Sequence, residues 1–387
     1  MWPGLERPFS APKLALLATG VAACAALGWG TERWREPGAP THPTLGAILL
    51  VWLTPWGVAS LFGEFASVDA LVLGVCGALW ALVLARLVSD ARALATAQVL
   101  GTTGVALVAL LQAMGADPFR AAGWAPAIAG ASPRLATYGT LGNPNFVAAL
   151  MAGTAPLTAW LLVSAPASRA RWLAGSALAC QVLALAVTGS RGGALGLVTG
   201  AAAWFLLTAG RRPAALALAG IVAGGLLLAI SPARPLGETL AGRLYIWRVA
   251  WPHAWERPLV GRGPGAFEVS YAAWEGAARQ AHGTGGERPR FAGPQQHAHN
   301  DYLEALVERG LPGAASLAGV VCLVLFTAWQ ARGRSVVAAG AASVAALAAV
   351  AVVDFPLERP AEVALFWTAA CVAIRGGSEE DPRCGIG

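Results

Sequence analysis

The feature that most constrains this chain is a series of apolar runs, each about 20 residues long and separated by polar connectors. A helix needs roughly this length to cross a bilayer while every backbone amide finds its partner inside the segment. Of the 387 residues, 12% are charged, whereas soluble domains carry about 25%. We therefore expect an all-α polytopic membrane protein with apolar runs at 12–30, 44–62, 67–88, 93–114, 144–165, 172–189, 192–210, 213–231, 311–331, 336–353 and 361–375.

Arginines in the short connectors indicate the orientation of these runs, because short cytoplasmic loops are enriched in Lys and Arg. They fall at alternate turns, which we expect to be cytoplasmic: Arg86, Arg92, Arg169, Arg171, Arg211, Arg212, Arg332, Arg334 and Arg375. The N-terminal side stays open, because an odd number of runs places it outside whereas Arg7 and Lys13 favour the inside. The expected number of transmembrane helices is about 10–12.

One long connector divides the chain into three expected parts. These are an N-terminal transmembrane block (1–231), an extracytoplasmic loop with short helices (232–310), and a C-terminal transmembrane block with a short tail (311–387). Long loops are translocated largely regardless of their charge. Because this loop holds four of the five histidines, His253, His282, His297 and His299, it is where we expect polar chemistry.

Two other classes of protein are disfavoured by composition. The net charge of +6 does not indicate nucleic-acid binding, because the arginines lie between apolar runs and form no basic motif. The six cysteines form no CxxC and no Cys/His spacing typical of a metal site. Most of them lie inside apolar runs, where cysteine behaves as a small hydrophobe, so we expect neither a disulfide framework nor a bound metal.

The long loop opens with a helical segment, 242–251, that Pro252 cuts or kinks. Trp247 and Trp251 share one face of this helix, and Trp255 would extend that face. The aromatic face fits an anchor at the membrane interface or a platform for sugar rings, with Arg248 as a further contact. Downstream, the glycines of 258–267 (PLVGRGPGAF) permit a tight loop with backbone close to a ligand, but their spacing is not that of a nucleotide-binding loop.

His299 precedes a segment, 301–308, with the apolar spacing of a helix. Asp301 with Glu304 resembles a capping box, and Gly310 with Pro312 indicates an end or a kink. The positive end of this helix favours a neutral imidazole at His299, which could accept a proton as a general base. Alternatively, His299 and Asn300 simply cap the helix.

Arg191 and Arg243 lie far apart in sequence, yet both are expected at the outer membrane face. Two guanidinium groups there could bind a diphosphate in bidentate fashion without a metal. Arg191 could instead be an interface residue that reaches toward the headgroups. Asp354 and Glu358 are expected on the same side, where they could supplement the site or pair with Arg359.

In their order along the chain, these motifs resemble the O-antigen ligase and polymerase family of membrane glycosyltransferases. The resemblance covers roughly 140–375 and rests on GNPN at 142–145, GSR at 189–191, GRxxxW at 242–247, PxxGxGxxxF at 258–267, HAHNxxLExxxxxG at 297–310 and DFPL at 354–357. It implies transfer of a glycan from an undecaprenyl-diphosphate carrier to an acceptor hydroxyl, with inversion, without metal or cofactor, and at the periplasmic face of the bacterial inner membrane.

The resemblance also implies roles for individual residues. His299 would be the base, with His297 as its rival, and Arg191 and Arg243 would hold the diphosphate as further catalytic residues. Substrate contacts are expected at His297, Asn300, Trp247, Trp251 and Arg248. A ligase would use lipid A-core as acceptor in lipopolysaccharide synthesis, whereas a polymerase would use a second lipid-linked repeat unit. A transporter or flippase of lipid-linked substrate is the alternative from another class, disfavoured by the few charges inside the apolar runs.

Overall fold

A computed structural model describes residues 11–29, 43–88, 90–123, 133–208, 236–281 and 293–375. Every regular element in these ranges is helical, which confirms the expected all-α polytopic membrane architecture. Two short 3₁₀ turns, Pro133–Ala136 and Pro356–Glu358, accompany the α-helices. In chain order these are α1 (Ala11–Trp29), α2 (Pro43–Phe62), α3 (Val68–Leu87), α4 (Ala91–Ala113), α5 (Pro118–Ala121), α6 (Pro144–Val163), α7 (Ser168–Thr188), α8 (Arg191–Thr208), α9 (Leu236–Ala254), α10 (Ala266–Ala281), α11 (Asp301–Gln330), α12 (Ser335–Val350) and α13 (Pro360–Arg375).

The helices follow the apolar runs closely, except that 213–231 lies outside the described residues, as do Arg211, Arg212, His282 and Cys384. Six of the described helices, α2, α3, α4, α6, α7 and α11, are long and apolar enough to cross a membrane. Helices α12 and α13 have 16 residues each and extend about 24 Å, less than the roughly 30 Å of the hydrocarbon layer. Both are buried along most of their length.

The centre of the bundle is formed by α6, α8, α12 and α13, which pack closely because small residues meet at their contacts. A Cβ added at Gly193 of α8 would lie 2.5 Å from the Ala148 side chain, and one at Gly196 would lie 2.6 Å from Val350. A Cβ at Gly340 of α12 would lie 2.6 Å from the Ala369 carbonyl of α13. In lipid such van der Waals contact, rather than the hydrophobic effect, holds helices together.

Two contacts join described arginine-bearing turns to neighbouring chain segments at one end of the bundle. Arg92 donates to the Ser164 carbonyl at 3.1 Å and hydroxyl at 2.9 Å, which joins the turn before α4 to the turn after α6. The Gly333 amide donates to the Leu207 carbonyl at 3.0 Å, which joins the turn after α11 to the end of α8. The antiparallel course of the helices puts this end opposite the turn 351–355, in agreement with the alternation expected from the sequence.

Helix α11 is kinked at Gly310, whose φ of 66° and ψ of −168° are not helical. Pro312 has no amide hydrogen, and the Leu311 amide turns away to the Pro258 carbonyl at 2.7 Å. The carbonyls of Val307 and Glu308 therefore lose their helical donors. The Arg262 and Gly263 amides replace them at 2.9 and 2.8 Å, so loop 258–263 is bonded directly into the kink.

The glycines of this loop are needed because backbone approaches backbone. Gly261 and Gly263 have φ of 70° and 109°, in the region that favours glycine. A Cβ at Gly261 would lie 2.2 Å from the Glu308 carbonyl oxygen, and a Cβ at Gly263 would overlap the Phe65 carbonyl oxygen. The close approach that the sequence predicted is thus made to the protein's own main chain, between α11 and the loop after α2.

Substitution Gly261→Ala should lower the free energy of unfolding by more than about 2 kcal/mol, because it adds backbone strain to a steric clash. Gly276→Ala is the matched control, since Gly276 lies in α10 with nothing within 4 Å of an added Cβ. That control should be neutral or slightly stabilising. Thermal unfolding in detergent, followed by tryptophan fluorescence, measures both; equal melting temperatures would contradict the assigned role of the loop.

Candidate functional site

The turn 351–355, between α12 and α13, organises the candidate site. The Asp301 amide donates to the Ala351 carbonyl at 2.9 Å, and the Asp301 carboxylate accepts from the Leu357 amide at 3.0 Å. These bonds fix the start of α11 against the turn. The histidine-bearing segment 297–300, which leads into α11, is therefore held beside it.

His299 lies against this turn in an unusual backbone conformation. Its φ of 53° is the only positive value outside glycine among the described residues, a conformation that costs a side-chain-bearing residue roughly 1–3 kcal/mol. Its Nδ1 lies 3.6 Å from Asp354 Oδ1, and its ring meets Phe355 edge-on with centroids 5.0 Å apart. At 3.6 Å the Nδ1 atom makes no hydrogen bond among the described residues, but it faces a carboxylate, which leaves Nε2 to exchange a proton.

Asp354 is buried and ionised. Burial would raise the pKa of its carboxyl, but the His299 imidazole and the Arg359 and Arg243 guanidinium groups lower that pKa to about 2. Burial in turn lowers the pKa of Arg243, and the Asp354 charge opposes that shift. The site therefore combines one fixed negative charge with Arg243 close enough to interact with it.

Arg191, the first residue of α8, borders the same turn. A Cβ on the adjacent Gly192 would lie 3.4 Å from Val353 Cγ2, one residue before Asp354. The structure thus brings His299 and Arg243 near Asp354, and it brings Gly192, the neighbour of Arg191, near Val353 of the same turn.

His297 occupies a different environment from His299. Its Nδ1 lies 2.7 Å from Glu304 Oε1, and its ring stacks on Phe355 with centroids 4.2 Å apart. Burial lowers the pKa of His297, and Glu358 is the largest opposing charge. The second oxygen of Glu304 accepts from the Ala298 amide at 2.8 Å. Both carboxylate oxygens therefore hold the segment in place, which assigns His297 a structural contact that the sequence did not indicate.

Asn300 and Trp247 also hold this segment. Asn300 is the N-cap of α11, and its side chain accepts from the Leu303 amide at 3.0 Å. Trp247 Nε1 donates to the Ala298 carbonyl at 2.9 Å. The capping box expected from Asp301 and Glu304 does not form, because their side chains bond to Leu357 and to the segment 297–298 instead.

Trp251 and Arg248 point away from the turn. Helix α9 continues through Pro252 to Ala254, so the proline does not cut it. Trp251 is 53% exposed and meets Trp255 edge-on with centroids 5.5 Å apart, and Arg248 is exposed. Trp251 and Trp255 form an outward aromatic face, whereas Trp247 packs inward. The expected three-tryptophan face is therefore divided between two environments.

Three side chains shape the site beyond the roles expected of them. Asp354 was expected to supplement the site or to pair with Arg359, and Glu304 to act as a cap. Phe355 had no assigned role, although its ring contacts both histidines. The HAHNxxLE spacing contains a signal for Glu304, since a residue three or four positions into a helix can reach back to the segment before it. Within the described ranges, no cluster of three or more His, Cys, Asp or Glu is arranged to hold a metal ion.

Residues 176–318 match the family model described as O-antigen ligase, which confirms the resemblance seen in the motifs. The match includes Arg191, Arg243, loop 258–267 and His299, whereas the turn with Asp354 lies beyond it. No curated protein matches the chain.

Substitution Asn300→Ala should lower the free energy of unfolding by about 1 kcal/mol, because the Leu303 amide loses its cap. Asn300→Asp keeps an oxygen acceptor and should have little effect, which makes it the matched control. Chemical or thermal unfolding in detergent distinguishes the two variants. Equal stability of Asn300→Ala and the unsubstituted protein would show that the cap contributes nothing.

Proposed function

We propose that this chain, which carries an O-antigen ligase domain, is a membrane glycosyltransferase acting at the periplasmic face of the bacterial inner membrane. The donor would be a glycan on undecaprenyl diphosphate, and the acceptor a hydroxyl of lipid A-core or a similar glycan. The observation that carries this proposal is the His299–Asp354 pair at 3.6 Å, with Arg243 near the same carboxylate.

In the proposed reaction, Nε2 of His299 takes the proton of the acceptor hydroxyl. The oxygen attacks the anomeric carbon from the side opposite the diphosphate, a new glycosidic bond forms, and the bond to the phosphate oxygen breaks. The electron pair leaves with undecaprenyl diphosphate, so the anomeric configuration inverts. Asp354 would act as a positioning residue that orients the imidazole and stabilises its protonated form, the logic of an Asp–His pair.

Arg191 and Arg243 would bind the donor diphosphate and stabilise the charge that develops on the departing phosphate. Fixed guanidinium groups are suited to this role, because they bind phosphate oxygens through paired N–H donors and require no reorganisation during the reaction. The donor already carries an activated glycosyl–phosphate bond. A nucleotide is therefore unnecessary. This agrees with the glycine spacing of 258–267, which is not that of a nucleotide-binding loop.

Ligase and polymerase activity differ only in the acceptor. A ligase would deliver the glycan to lipid A-core, and a polymerase would deliver it to a second lipid-linked repeat unit. His299 and Asp354 would act in the same way on the hydroxyl of either acceptor, and the assay below distinguishes the two. Ligation is the form we favour, because the matched family model carries that description.

Substitution His299→Gln should lower kcat by about 10²–10⁴-fold, the usual contribution of a general base. His297→Gln should retain most of the activity, because Glu304 still holds the Ala298 amide. Transfer from purified undecaprenyl-diphosphate donor in nanodiscs, with EDTA present, measures both, using lipid A-core and a second donor as alternative acceptors. Equal losses in the two variants would refute the assignment of His299, and no transfer by folded wild type to either acceptor would refute the proposed reaction.

Substitution Asp354→Asn should lower kcat by about 10²-fold while KM changes little. Asp117→Asn is the remote control, since Asp117 caps α5 and accepts from Tyr138 at 2.7 Å. An unchanged kcat in a folded Asp354→Asn variant would show that the carboxylate has no part in the reaction.

A further inference from the structure

A cavity of about 160 Å³ lies next to the candidate site. Arg359, which follows Asp354 closely in sequence, is one of its lining residues. It is bordered by the start of α6 and the start of α13, with one residue from α1. Its charged lining residues are Lys13, Arg359 and Glu362, and its other lining residues include Asn143, Phe146 and Ala361. No role assigned above uses this space.

Arg359 is buried in the wall of the cavity without full hydrogen bonding. Its exposure is 6%, yet Nη1 and Nη2 have no hydrogen-bond partner among the described residues. Nε faces Glu362 Oε1 at 3.1 Å, and the guanidinium lies 3.8 Å from the Phe146 ring centroid. The Phe146 ring offsets part of the Arg359 charge. Burying a guanidinium whose N–H donors lack acceptors still costs free energy, so these donors mark a place where a hydrogen-bond acceptor is missing.

Two helix N-termini add positive potential at the same place. Helix α6 begins at Pro144 and helix α13 at Pro360, and the first-turn residues of both line the cavity. The N-terminus of a helix carries about half a positive charge and favours anions. The Asn145 amide is already capped by Asn143 at 2.9 Å, so α6 contributes its dipole more than free donors.

Among the described lining residues Glu362 opposes an anion, and the Asp354 charge lies near Arg359 outside the lining. Glu362 binds the Nε edge of Arg359 and is 1% exposed, which leaves the Nη edge for another ligand. A guanidinium edge with two N–H₂ groups matches the two oxygens of a phosphate or carboxylate. The cavity is large enough for such a group with its waters, because one water occupies about 30 Å³.

We propose that this cavity is an anion-binding site in which Arg359 Nη1 and Nη2 hold a phosphate or carboxylate group. The site is separate from the one proposed for the donor diphosphate. Phe355 connects the two, since its ring centroid lies 5.0 Å from that of His299 and 5.0 Å from the Arg359 guanidinium. The anion could be borne by an acceptor sugar or by a lipid headgroup, both of which are available at a membrane surface.

The test uses the full chain in detergent, with inorganic phosphate as the probe and chloride at equal ionic strength as the reference. Phosphate should raise the melting temperature of the unsubstituted protein by about 2 °C or more. Ala361→Leu, which fills the cavity and leaves Arg359 in place, should abolish this rise, as should Arg359→Gln. Glu362→Gln should increase it, because the opposing charge is removed.

Arg332→Gln serves as the control, since Arg332 lies over Trp329 in the turn after α11 and its loss should leave the phosphate effect unchanged.

Native mass spectrometry of protein from phosphatidylglycerol and phosphatidylcholine nanodiscs then distinguishes the two sources of the anion. Phosphatidylglycerol retained by wild type but not by Ala361→Leu would identify a headgroup, and a phosphate effect without retained lipid would identify a soluble or acceptor-borne anion. No phosphate effect, or an equal effect in Ala361→Leu, would overturn the proposal. Because no glycan transfer is measured, failure here is distinct from failure of the proposed reaction.

Discussion

The kink of α11 at Gly310 is the constraint on which the rest of the structure depends. It releases the carbonyls of Val307 and Glu308, and the amides of loop 258–263 take them up. Buried main-chain groups have to be paired, so helix and loop fix each other. Glu308 also accepts from the Phe267 amide at 3.2 Å, which ties the start of α10 to the same point. The half of α11 before the kink can then deliver the segment 297–300 to the turn between α12 and α13.

Charge is placed in this interior in compensated groups. Arg309 lies 3.4 Å from Glu308 and 3.7 Å from Glu358, and it covers the Trp56 ring at 4.1 Å. Burial raises the pKa of Glu358 to about 7, so this carboxyl is held near the boundary between neutral and charged. The pKa of Asp354, by contrast, is lowered to about 2 because an imidazole and two guanidinium groups stabilise its charge. The same buried surroundings therefore favour the charged form of Asp354 and leave Glu358 able to gain a proton.

The sequence predicted the helices well because an apolar run of membrane-spanning length has few alternatives to a helix. It also placed the kink near Gly310 and the start of α11 at Asp301. It could not predict the partners of the polar side chains, since His299 meets Asp354 and Trp247 meets Ala298 across long stretches of chain. The two histidines show this limit clearly: they are two residues apart, yet their carboxylate partners come from α11 for His297 and from the turn after α12 for His299.

The shortness of α12 and α13 has a consequence for how a lipid-borne substrate meets the protein. At about 24 Å, each helix is roughly 6 Å shorter than the hydrocarbon layer. If their arginine-bearing ends lie at one interface, the turn with Asp354 lies below the other, beneath the level of the headgroups. A carrier lipid would then have to bring its polar head below the headgroup level to reach the His299 imidazole, while its chain stays in the membrane.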